Sequence, residues 1–172
     1  HFSGINKMLD SGASFNLSYC GGVNFPAENT QATSTAPGWC SILTGEWADK
    51  TGITGNGITK SVEPKTLLVS LVEDKIIVSA AFITRWKGHF VDDNSTYKAE
   101  KEYCEKNSLD VEYIQCLEDI ASSSETIKNI KQDDCPDFIF AIYEGTDAAG
   151  HAFGFSTNSP IYEAGFVIND IL

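Results

Sequence analysis

Residues 137–155, DFIFAIYEGTDAAGHAFGF, decide the fold. An apolar run from Asp137 to Tyr143 gives way at once to a polar, glycine-containing segment, Glu144 to Phe155. Such a run reads as a strand covered on both faces, as strands of parallel sheets are. Ile76 to Ile83 is a second run of this kind. Around these strands lie helical patterns. Ser3 caps one that carries Ile5, Met8 and Leu9 and ends at Gly12; Pro64 opens another through Asp74, with Leu67, Leu68, Leu71 and Val72 inward. Tyr97 to Lys106 reads as a charged, exposed helix, Leu117 to Ile130 as a further one, and Ser159-Pro160 starts a last one carrying Ile161 to Ile171. Ala13, Phe15, Leu17 and Tyr19 alternate as a half-buried strand. Helices alternating with buried strands predict an α/β fold, a largely parallel central sheet with helices on both faces. Sites in such sheets gather beyond the carboxyl ends of the strands, so Glu144 to Phe155 is the first place to look.

At 172 residues the chain is long enough for one domain with a real core, and its ten Phe, six Tyr and three Trp argue against disorder. A net charge of −12 makes a nucleic-acid polymer or an anionic membrane an unsuitable partner. A small anionic substrate stays open, because bound cations reverse a local field. No apolar run is long enough to cross a bilayer. The five cysteines lack metal-knuckle spacing; Cys104 and Cys116 are plausible disulfide partners. Asn16-Leu17-Ser18 and Asn94-Ser95-Thr96 fit the glycosylation sequon, which leans the reading towards an extracytoplasmic or secreted protein.

Upstream, residues 33–56 read TSTAPGWCSILTGEWADKTGITGN. Hydroxyls, then Pro37, an apolar patch of Trp39, Ile42 and Leu43, and Gly45 spell a loop entering a helix. The first turn of a helix offers unpaired N–H groups and suits an anion. A hydroxyl there either caps the helix or attacks a phosphoryl group, and local pattern favours the cap. Residues 45–60, glycine-rich and without an apolar period, read as a long surface connection passing near the site.

Asp147 and His151 stand four apart among small residues, a carboxylate and an imidazole suited to zinc or a similar divalent ion. The plain alternative is a turn aspartate beside an unrelated surface histidine. His89 follows the first buried strand and reads as structural or substrate-side rather than as a ligand. Cys40, inside the helix, admits a cysteine–histidine hydrolase, although a cysteine at mid-helix is usually packing.

Together, T-A-P-G-W-C-S-I-L-T-G (35–45), T-G-I-T-G-N (51–56) and the opening stretch resemble the alkaline phosphatase superfamily, and within it the type I phosphodiesterase/nucleotide pyrophosphatase family. The resemblance covers nearly the whole chain in order. It implies an alkaline phosphatase-like fold and a metal-dependent hydrolase of phosphate esters, with a small phosphate-ester or nucleotide substrate and two divalent metal ions of the zinc type. By the same resemblance Thr35 is the nucleophile and touches the metal, Asn56 holds a phosphoryl oxygen, and Asp147 and His151 are metal ligands. A phosphothreonine intermediate follows from these roles. The family's other ligands, an aspartate before His1 and an Asp-His pair and a histidine after Leu172, are implied to lie outside residues 1–172, so the stretch is expected to be one incomplete catalytic domain, inactive alone. The family's usual asparagine after the threonine is replaced by Gly38 and its usual histidine before the asparagine turn by Thr51. Those departures bear on substrate preference more than on reaction type, and a phosphomonoesterase or phosphonate hydrolase of the same fold stays open. The ligands missing from this stretch leave open a catalytically silent domain that binds a ligand or partner.

Overall fold

Three parallel strands order the chain, with β1 (Ala80–Thr84) between β2 (Val111–Gln115) and β3 (Phe138–Ala141). Phe82 stands level with Tyr113 on one side and Phe140 on the other. Helices fill the intervals: α1 (Ser3–Asp10), α2 (Thr35–Thr44), α3 (Ala48–Thr51) and α4 (Leu67–Glu73) precede β1. Then α5 (Lys98–Asn107) joins β1 to β2, α6 (Asp119–Lys131) joins β2 to β3, and α7 (Gly145–Phe153) follows β3. The computed structural model describes residues 3–16, 31–57, 65–156, 158–160 and 162. An α/β fold with an all-parallel sheet is what the alternation predicts.

All five residues of β1 are buried, so both its faces are covered. Ala80 and Phe82 join the main core with Ala36, Cys40 and Leu43 of α2 and Leu68, Val69 and Val72 of α4. On α6, which packs against β1 and β3, the buried positions are Asp119, Ser122, Ser123 and Asn129, whereas Ile120, Ile127 and Ile130 face out. The Phe82 ring is ringed by Phe90, Tyr97, Phe140 and His89 at centroid distances of 5.3–5.6 Å.

Several expectations are corrected. The first strand begins at Ala80; Ile76 and Val78 are 68% and 78% exposed, and the N–H of Val78 is held by Asp137 Oδ2 at 2.7 Å. β2 was not foreseen, because five residues with two polar side chains vanish inside a charged stretch. β3 is half-buried throughout, as an outer strand is. Tyr97, Glu100 and Cys104 are buried, so the helix read as a solvated face has a core side. Segment 45–57 is not a surface connection: it contains α3 and buries Ala48, Thr51 and Ile53. In α4, Leu67 faces out and Val69 takes its inward place; in α2, Ile42 is exposed. The apolar side chains of α1 are exposed, and residues 13–16 form no strand. Leu17, Tyr19, Cys20, Pro64 and most of the last helix lie outside the described residues. Cys104 and Cys116 are free thiols, as are Cys40 and Cys135.

Helices α2, α3, α4 and α7 begin without a side-chain cap from their own N-cap residue, and acceptors from elsewhere in the chain serve instead. Glu100 of α5 accepts from the Thr66 N–H at 2.9 Å and the Thr66 hydroxyl at 2.8 Å, fixing the start of α4. Gln31 Oε1 accepts from the Ala48 N–H at 3.0 Å, at the start of α3. Gly45, at φ 74°, closes α2 in the left-handed conformation that favours glycine.

His89 is fully buried, lies nearly parallel to Tyr97 (5.8 Å, 16°), and its two ring nitrogens form no hydrogen bonds among the described residues. Burial pulls its pKa from 6.5 down to about 3. Above 6.5 folded and unfolded chains both carry a neutral imidazole; below it the unfolded chain takes up a proton that the folded chain refuses. His89 therefore costs about 1.4 kcal/mol of stability per pH unit as pH falls from 6.5 towards 3. In urea unfolding between pH 6 and pH 4, His89→Phe is expected to flatten the pH slope by about that amount.

Candidate functional site

The start of α2 is held from outside. Ser34, its N-cap, makes no side-chain cap bond; Asn56 Oδ1 accepts from the Ala36 N–H at 2.9 Å. That bond assigns the Asn56 amide orientation, leaving its NH₂ as a donor. Pro37 has no N–H, so the Thr35 N–H is left as the first-turn backbone donor without a partner among the described residues. The Thr35 hydroxyl likewise has no hydrogen-bond partner among them. The expected hydroxyl cap is thus absent, and for a physical reason: Asn56 has taken its place.

Thr35, Gly38, Trp39 and Asn56 line a cleft of about 640 Å³ together with Trp86, Glu144, Asp147 and His151. Trp86 follows β1 and Glu144 follows β3, so the cleft opens at the carboxyl ends of these strands, as parallel sheets predict. The segment expected to be a loop is a helix, α7, which brings Asp147 and His151 onto one face by the four-residue period. His151 Nε2 lies 3.6 Å from Asp147 Oδ2, and the side chains are 73% and 64% exposed. Two donors on a tetrahedral zinc at about 2.0–2.1 Å stand roughly 3.3 Å apart, so this pair fits half of a zinc site with little adjustment. Among the described residues no group of three or more His, Cys, Asp or Glu could hold a metal. Phe155 packs its ring edge-on to His151 at 5.3 Å and lies over Gly150, where a Cβ would clash with it.

Two acidic residues that sequence reading passed over tie together the elements around the cleft; of the two, Glu144 lines it. Glu144 Oε1 accepts from the Trp86 N–H at 3.0 Å and the Thr84 hydroxyl at 3.2 Å, tying β3 to β1. Burial raises its pKa against these donors. Asp119, buried at the head of α6, accepts from the N–H groups of Glu144 and Gly145. Neither carries a local signal; each acts on a residue at least 25 positions away. Cys40 is fully buried, and burial raises its pKa, so a cysteine nucleophile does not fit. His89 lies in the core beneath Trp86, their rings 4.9 Å apart.

The family model described as type I phosphodiesterase / nucleotide pyrophosphatase matches residues 1–167. The chain belongs to that family. No match was found among curated proteins or among solved structures. Membership places the chain among phosphate-ester hydrolases of the alkaline phosphatase superfamily, a generally metal-dependent group acting on small phosphate esters. No helix among the described residues is long and apolar enough to cross a membrane.

Both departures from the family pattern have structural counterparts. At Gly38 a Cβ would meet nothing within 4 Å, so the space an asparagine would fill is open cleft. Thr51 is buried away from the cleft, its hydroxyl accepting from the Ile53 N–H at 3.2 Å.

Asn56→Ala removes the acceptor at the start of α2 and is expected to cost about 1 kcal/mol in urea unfolding. Asn56→Asp keeps an acceptor and adds favourable charge at the helix start, so it is expected to hold stability within about 0.5 kcal/mol.

Proposed function

We propose that the protein hydrolyses phosphodiesters or nucleotide pyrophosphates through Thr35, with two divalent metal ions of the zinc type. The observation that carries this reading is the transfer of the α2 cap to Asn56. With the start of the helix held by that amide, the hydroxyl of Thr35, its first residue, has no hydrogen-bond partner among the described residues and lines the same cleft as the Asp147–His151 pair. A hydroxyl bound up in capping its own helix would be a poor nucleophile; this one has no such duty.

Asp147 and His151 would hold one ion, with the Thr35 oxygen beside it. When bound, the metal neutralises substrate charge and lowers the pKa of a coordinated hydroxyl. The chain's own groups do the rest. Thr35 Oγ1 forms a bond to phosphorus while the bond to the leaving oxygen breaks, and the hydroxyl proton is released to solvent. The Thr35 N–H and the Asn56 NH₂ donate to non-bridging oxygens on which charge builds. Water then cleaves the phosphothreonine, restoring the hydroxyl and releasing phosphate or its monoester. The open space at Gly38 supports a bulky ester group beside phosphorus, and with it a diester over a monoester.

In the complete protein, Thr35→Ala is expected to abolish phosphodiester hydrolysis while zinc binding persists. Unchanged activity would remove Thr35 from the mechanism. A chain that binds zinc but never hydrolyses an ester, wild type included, would instead be a silent binding domain.

A further inference from the structure

We infer that Asp119 is the positioning residue for the helix that carries Asp147 and His151; this rests on the metal-holding role just proposed for that pair. Helix α7 begins with no cap of its own. The side chain of its N-cap residue, Glu144, is turned away to the Trp86 N–H and the Thr84 hydroxyl. The helix start is then left to Asp119, which reaches across from the head of α6. Its Oδ1 accepts from the Glu144 N–H at 3.0 Å and its Oδ2 from the Gly145 N–H. Both carboxylate oxygens are thus used on consecutive donors, and the negative charge sits at the positive end of the α7 dipole.

The consequence is geometric. Gly145 is the first residue of α7, Asp147 lies two residues on, and His151 stands one turn beyond that. A helix of nine residues whose far end leads into exposed Gly154 and Phe155 has its direction set at its half-buried beginning, where Asp119 holds it. Asp119 is buried, whereas Asp147 and His151 are largely exposed and joined to each other at 3.6 Å. The exposed pair therefore takes its aim from a buried carboxylate that never touches the substrate. Glu144 extends the same tie to β1, so one chain of bonds fixes α6, α7 and the Trp86 wall of the cleft.

The test measures zinc affinity by chelator competition in the complete protein, alongside thermal midpoint and amide exchange. Asp119→Asn preserves volume but offers one acceptor for two donors, and is expected to weaken zinc about tenfold, as loss of an outer partner of a ligand does. Faster exchange confined to residues 145–148 should accompany it. Glu100→Gln is the control: it loosens a carboxylate cap of the same kind at α4, away from the cleft, and is expected to lower the midpoint with zinc affinity unchanged. If Asp119→Asn lowers the midpoint as Glu100→Gln does and leaves zinc affinity intact, Asp119 is merely structural and the inference is overturned. If His151→Ala binds zinc as the wild type does, the metal role of the pair has failed, and the inference falls with it.

Discussion

The Asn56 Oδ1 bond to the Ala36 N–H is the interaction on which the site depends. A helix start is a set of unpaired donors that something must satisfy. The nearest hydroxyls, on Ser34 and Thr35, are the usual means, and using them would bury the chemistry in the scaffold. Here an amide twenty residues further along the chain does the work, and the bond fixes both partners. The same device recurs at α3 through Gln31, at α4 through Glu100 and at α7 through Asp119. Element starts are thus tied to other elements rather than to themselves, so the cleft's two sides share a frame.

The electrostatics of the cleft point the same way. Among the described residues its lining includes Glu144, Asp147 and His151 and no lysine or arginine, in a chain of net charge −12. A phosphate ester would meet repulsion there from both carboxylates and from the protein's overall field. Two neutral donors, the Asn56 amide and the Thr35 N–H, are too little to offset it. Divalent cations held at the acidic side would reverse that sign, in keeping with the generally metal-dependent chemistry of the family.

The sequence made the α/β class legible because strong apolar runs and helical periods are local. Helix α2, with Gly45 ending it, was readable for that reason, and so was the segment after the apolar run at 137–143 as the place to look for a cleft. What escaped reading was non-local. β2 is too short and too polar to announce itself, yet it gains its place by pairing with β1 along five residues. Ile53 and Glu100 look solvated until α3 and α4 fold over them. In the candidate site, Asp147 and His151 were singled out by residue type and spacing, and Thr35 and Asn56 by family resemblance. Glu144 and Asp119 were not, because a carboxylate that caps another element leaves no mark at its own position. The exchange of a hydroxyl cap for an amide cap at α2 was hidden for the same reason.

The most direct measurement is a rapid quench of the complete protein during turnover of a phosphodiester, followed by peptide mapping. The account requires one added phosphoryl group on the peptide spanning residues 33–46, localised to the Thr35 hydroxyl and gone once substrate is exhausted. Full turnover with that peptide unmodified at every quench time, or a phosphoryl group on another residue, would contradict it.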